Sequence, residues 1–262
     1  MSAVSAGFRA LFRREVLRYV RMPRSTFLPP LVTNTLFFVV FGAVLGQRIR
    51  VVEDTPYILF ILPGLVVLGI TAQAFQNASF TVFHGRWEEY IQEIQTSPLS
   101  YREMVAAYVT TSALRGVVIG ALVALIGAAF TTVDPDVSAV GVANPGYVIA
   151  FALAVSVLFA ALGIAGGLWA ATFDDLAVMN QFLIRPLVFV GAVFYPLGVL
   201  DEPWRTLSLV NPMVYMVDGM RYGFLGVAEI GPNVSLAVLS VAAIVAVSLD
   251  VWLFERGYGL TE

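Results

Sequence analysis

The chain has 262 residues, of which 59% are hydrophobic and 13% charged, with a formal net charge of −3; its mean hydropathy is +0.84. Soluble domains run to about 45–50% apolar residues, glycine included, and about 25% charged, so an ordinary cytosolic enzyme and a disordered chain are excluded and a polytopic membrane protein is expected. There is no cysteine, the one histidine is His84, and all 15 basic residues are arginine, which removes disulfides, thiolate and two-histidine metal sites, Schiff-base lysines and the lysine of an ATP-binding P-loop.

In residues 1–24 the positions Phe8, Leu11, Phe12, Val16, Tyr19 and Val20 recur at helical spacing, with Arg9, Arg13, Arg14, Arg18 and Arg21 on the other face. This predicts a basic amphipathic helix suited to an anionic lipid surface rather than a signal peptide; Pro23 ends it. Six apolar stretches follow: Phe27–Gly46, Tyr57–Phe83, Met104–Val133 with Arg115 inside it, Tyr147–Phe173, Leu176–Leu200 with Arg185, and Ile230–Leu249. About 20 apolar residues reach across a bilayer, so six spans are expected. An even number puts both termini on one side. The N-terminal arginine excess, against a Thr132–Gly146 loop carrying only Asp134 and Asp136, makes that side cytoplasmic.

Two connections carry more information. In residues 84–103, Trp87, Tyr90, Ile91 and Ile94 fall at i, i+3, i+4 and i+7, with Glu88, Glu89, Gln92 and Glu93 between them. The pattern predicts one short amphipathic cytoplasmic helix, broken at Ser97-Pro98, before a capping box at Ser100–Glu103. Residues 201–231 hold Trp204, Leu207, Leu209, Met213 and Phe224, too apolar for a free loop. Pro203, Asn211-Pro212 and Gly219 leave the stretch too interrupted for one span. Two short helices re-entering the outer leaflet, covered by protein, satisfy both observations.

The paired carboxylates Glu88-Glu89, Asp174-Asp175 and Asp201-Glu202 all sit at expected membrane boundaries and read as solvated charge rather than catalytic dyads. No histidine lies at depth. Nothing in the sequence calls for enzymatic chemistry, a cofactor, a metal or a nucleic-acid partner. Gln73, Gln76, Asn77 and Phe80 share one face of the second span; the amides suit either a polar pathway or helix–helix hydrogen bonds. Gly42/Gly46, Gly116/Gly120 and Gly163/Gly167 have the spacing of close helix contacts. An ion-coupled secondary carrier is the competing transport class, but it would need matching inverted halves and a buried acidic series, and neither is evident.

Specific segments, taken in order, resemble the membrane subunit of type-2 ABC transporters, the family of drug, polysaccharide and polyketide exporters. They are Phe41-Gly42, Pro63-Gly64, Arg86…Glu89 with Ser97-Pro98-Leu99-Ser100, Phe194-Tyr195-Pro196-Leu197, and Asn211-Pro212 with Asp218 and Arg221. After the loop arginine, where the family's usual glycine stands, this chain has Trp87-Glu88-Glu89. The resemblance spans nearly all of residues 1–262. It implies a single all-α transmembrane domain with six spans, an interfacial helix, a coupling helix and a re-entrant hairpin. It further implies assembly as a homodimer or close-paralogue heterodimer in the cell membrane, export of an unidentified substrate, and a separate ATP-binding subunit. Arg86, Trp87, Glu88, Glu89, Tyr90, Ile91 and Ile94 are the residues expected to touch that subunit.

Overall fold

A computed structural model of the chain describes residues 5–46, 48–49, 51–52, 55–133 and 140–259. Asp134 and Asp136 lie outside them, as do Arg50, Glu53 and Asp54. Among the described residues the architecture is helical, with one two-residue-per-strand ribbon pairing β1 (Val51–Val52) and β2 (Thr55–Pro56) antiparallel.

Helix α1 (Ala6–Val20) is capped by the Ser5 hydroxyl, which accepts from Phe8 N at 3.1 Å. Pro23 opens α2 (Pro23–Phe37), where its missing N–H costs nothing; the helix then widens into a π-helical stretch, Phe38–Leu45. Next come α3 (Tyr57–Trp87), α4 (Tyr90–Gln95), α5 (Tyr101–Val133) and α6 (Pro145–Trp169). The chain continues through α7 (Phe173–Val178), a π-helical Met179–Ile184, and α8 (Arg185–Phe189). It ends with α9 (Trp204–Val210), α10 (Pro212–Leu225) and α11 (Pro232–Glu255). Apart from the amide face of Gln73, Gln76 and Asn77, α3 is largely apolar, and most of its surface is buried. It forms the axis around which α5, α6 and α10 pack.

Among the described residues five helices are long and apolar enough to cross a membrane: Pro23–Gly42, Tyr57–Trp87, Tyr101–Thr132, Pro145–Trp169 and Pro232–Glu255. The expected span Leu176–Leu200 differs. Its helix starts earlier, at Phe173, is interrupted by the π-helical turn, and stops at Phe189, so at 1.5 Å per residue it rises roughly 25 Å, short of the hydrocarbon core. Pro186 contributes no N–H to the ladder, and Ala192 takes a left-handed φ of 56°, which ends the helical direction.

Close helix crossings fall on two of the three glycine pairs. A Cβ on Gly163 would lie 2.5 Å from the Phe75 carbonyl oxygen, and one on Gly167 2.5 Å from that of Ser79, so α6 rests directly on the α3 backbone. Gly116 lies against Ile70 O in the same way on α5, whereas Gly42 meets only the Ile58 side chain.

The 201–231 stretch does form two short helices, joined at Asn211. Its side chain accepts from Met213 N at 2.9 Å and donates to Leu187 O at 2.7 Å. Gly219 is not a break. It lies inside α10, where a Cβ would collide with the Phe151 ring. α10 is pinned by Asp218, which accepts from Glu229 N at 2.7 Å, and by Arg221, which donates to Ala192 O at 3.0 Å and stacks 4.0 Å over the Phe60 ring.

Candidate functional site

The expected single helix over residues 84–95 is two helices. α3 runs on to Trp87, and the chain turns at Glu88-Glu89, where Glu89 takes the left-handed φ of 61° that lets α4 start in a new direction. The turn separates residues that periodicity placed on one stripe. Ile91 and Ile94 point inward, 1% and 9% exposed, and belong to the chain's own core. Tyr90 is half-buried: its ring packs over Gly85, and the Arg14 guanidinium of α1 stacks on it at 4.4 Å. Burial pushes the Tyr90 phenol above its ordinary value; the charge of Glu15 adds to this and Arg14 opposes it.

Arg86 is also turned inward. One of its terminal nitrogens donates to the carbonyls of Gly167, Leu168 and Ala170 at 2.9, 2.8 and 2.9 Å. These are orphan carbonyls at the C-terminal end of α6, where a cation also meets the negative end of the helix dipole. The expected contact set of seven therefore divides. Trp87, Glu88 and Glu89 are exposed, whereas Ile91 and Ile94 are core residues, and Arg86 and Tyr90 are held by contacts within the chain.

The exposed remainder forms a surface. Trp87 is 61% exposed and meets Phe173 edge-on at 5.5 Å, and Phe173 also packs on Phe83 at 4.8 Å. The acids next to this pair in the chain, Glu88, Glu89 and Asp174, are exposed, as are Gln92 and Glu93 of α4. Phe173 was not expected as part of this surface, since its only sequence signal is an aromatic residue at the edge of a tight turn. The turn is built by a capping box in which Thr172 Oγ1 accepts from Asp175 N, while the Asp175 carboxylate accepts from Thr172 N at 2.8 Å.

The amides of α3 build a second site. Arg115 of α5 donates to Asn77 Oδ1 at 3.0 Å and to Gln73 Oε1 at 2.9 Å. Arg18 of α1 donates to the same Asn77 oxygen at 3.3 Å and to the Thr81 hydroxyl, and pairs with Glu15 at 3.0 Å. Asn77 Nδ2 donates to Ser112 at 2.9 Å. Gln73 and Asn77 are buried inside this network, while Gln76 stays exposed beside Phe80. The network also fixes which side of α1 faces the protein. It buries Leu11, Glu15 and Tyr19 against the protein, so a carboxylate in the middle of a basic helix sits on its protein-facing side. No group of histidine, aspartate and glutamate residues suited to a metal ion occurs among the described residues.

Residues 6–225 match the ABC-2 type transporter family. The chain is 34% identical over 255 residues to the inner membrane transport permease YadH of Escherichia coli K12, covering 97% of this chain and 96% of that protein. It is 23% identical over 266 residues to nodulation protein J of Bradyrhizobium diazoefficiens, covering 98% and 95%. Nodulation protein J of Rhizobium meliloti is 21% identical over 256 residues, covering 94% and 92%.

Proposed function

The chain belongs to the ABC-2 type transporter family, and on that premise we propose that it is an exporter half driven by a separate ATP-binding subunit seated on the Trp87–Phe173 surface. Membership makes it the multi-pass membrane subunit of an ABC transporter, and such permeases normally work with an ABC ATP-binding subunit. The absence of lysine from the whole chain supports placing ATP hydrolysis on that partner.

The observation that carries the docking reading is the exposed aromatic pair Trp87–Phe173, flanked in the chain by the exposed acids Glu88, Glu89 and Asp174. Trp87 and Phe173 are exposed beside α4, whose own apolar residues Ile91 and Ile94 are already buried within the chain. Aromatic anchors dominate interface energies, and rim charges set orientation. A lipid-resting surface would carry arginines, as α1 does; Glu88, Glu89, Glu93 and Asp174 suit a protein groove with basic residues at its edge. On this reading both termini are cytoplasmic, α9 and α10 form the re-entrant hairpin on the outer side, and two copies, or one copy with a close paralogue, form the pathway. The resemblance to exporters supports outward transport.

The experiment uses the chain's natural lack of cysteine. Single cysteines at Glu88, Gln92 and Ile91 are introduced and the chain is co-expressed with its ATP-binding subunit. Cross-links from positions 88 and 92 but not from 91 support the reading; cross-links from none, in a complex that co-purifies, overturn it.

A further inference from the structure

Where α1, α3 and α5 meet, charge is out of balance. The guanidinium groups of Arg18 and Arg115 converge on one neutral acceptor, Asn77 Oδ1, at 3.3 and 3.0 Å. Their other partners are the neutral Gln73 amide and Thr81 hydroxyl, together with a single carboxylate, Glu15. Glu15 is 1% exposed. It binds Arg18 through Oε2, while its Oε1 is enclosed and has no partner. The Nε of Arg115 is enclosed without an acceptor as well. Two full positive charges thus face one negative charge, and amide dipoles cannot cancel the remainder. In low dielectric an uncancelled charge is costly unless a counter-charge is supplied.

The node is open on one side. The side chain of Arg18 is 31% exposed, and its Cζ lies 5.9 Å from the ring of Phe80. Phe80 and Gln76 are the exposed residues of α3 beside it. The α3 stretch from Ala72 to Phe80 carries no acidic residue, and the one carboxylate bonded to the node, Glu15, is buried and already bound to Arg18. A partly exposed arginine side chain, an amide donor and an aromatic ring, next to apolar helix surface, are complementary to a negatively charged head carried on an apolar body. We propose that Arg18 and Arg115 form a binding site for an anionic headgroup, a phosphate or carboxylate borne by an amphiphile, entered past Gln76 and Phe80. The site supplies charge-assisted donors that are already held in place by Glu15 and Asn77, so little ordering is needed on binding.

The test needs no ATP-binding subunit, so it stands or falls separately from the docking reading. The purified full chain is placed in mixed vesicles of phosphatidylglycerol and phosphatidylcholine, extracted gently, and its retained lipids are counted by native mass spectrometry. The expected result is selective retention of phosphatidylglycerol by the wild type, reduced about tenfold in Arg18→Gln by the loss of one charged hydrogen-bond donor. Should Arg18→Gln fail to fold, Gln76→Glu at an exposed position provides the counter-charge from within and is expected to reduce retention as well. Release of the lipid by millimolar inorganic phosphate supports the site and identifies its requirement as a free anion. Failure of phosphate to compete, with selective retention still lost in the variants, supports it and identifies the membrane amphiphile. Equal retention of both lipids by the wild type, or unchanged phosphatidylglycerol retention in Gln76→Glu, overturns the proposal.

Discussion

The Arg86 guanidinium lies 2.8 Å from the carbonyl oxygen of Leu168. With the flanking bonds to Gly167 and Ala170, it ties the end of α3 to the end of α6 and closes carbonyls that have no partner within their own helix. Arg86→Gln is therefore expected to lower the thermal stability of the isolated permease by about 1.5–3 kcal/mol, the range for hydrogen bonds to a charged group. Thermal unfolding in detergent, without any partner present, checks this. An unchanged midpoint would leave Arg86 free to act at an interface instead.

Ile91 is 1% exposed and sits in the core beside α3. Ile91→Ala should cost about 2–5 kcal/mol through the cavity it leaves, and the loss should appear in the permease alone. Glu93→Gln, on the exposed side of the same helix, should leave the midpoint within about 0.5 kcal/mol. The same unfolding assay compares the two.

Gly163 has no room for a side chain, because α3 backbone occupies the space. Gly163→Ala should destabilise by about 1–3 kcal/mol through overpacking. Gly163→Leu should abolish the monodisperse peak in size-exclusion chromatography. Gly141, around which a Cβ would meet nothing, should tolerate alanine.

Asp250 is 1% exposed in α11, and neither of its carboxylate oxygens has a hydrogen-bond partner. A buried polar group without a partner costs stability, so Asp250→Asn is expected to be at least as stable as the wild type, and Asp250→Leu more stable. Lower midpoints for both would reveal a partner at this position in the working assembly.

Much of this fold was legible because bilayer spans are written in composition. The long runs around Leu65, Ile119, Ala161 and Ile244 each became one long helix, with ends shifted by up to six residues from those expected. The run from Leu176 did not, since apolarity says nothing of the π-helical widening at Met179 or the turn at Ala192. Periodicity identified Tyr90, Ile91 and Ile94 as a face that must be covered, but periodicity does not say by what. The protein covers it itself, and it does so because the left-handed turn at Glu89 redirects α4, a conformation that a non-glycine sequence gives no warning of. Arg86 stood out in the sequence as a loop cation, yet its partners lie some eighty residues away on α6. Gln73 and Asn77 were visible as polar residues on one face. That Arg18 and Arg115 reach them depends on how α1 packs, and Glu15, surrounded by arginines in the chain, shows no sign in sequence of facing inward.

The claim that the exposed turn between α3 and α4 seats the ATP-binding subunit is tested most directly by combining Trp87→Ala with Glu88→Gln and Glu89→Gln and measuring retention of the co-expressed subunit on the purified permease. All three side chains are exposed, so the variant should unfold at the wild-type temperature while losing most of the bound subunit, with Trp87 contributing roughly 2 kcal/mol or more and the glutamates mattering chiefly at low salt. Full retention of the subunit with normal ATP hydrolysis in a correctly inserted variant would contradict the account.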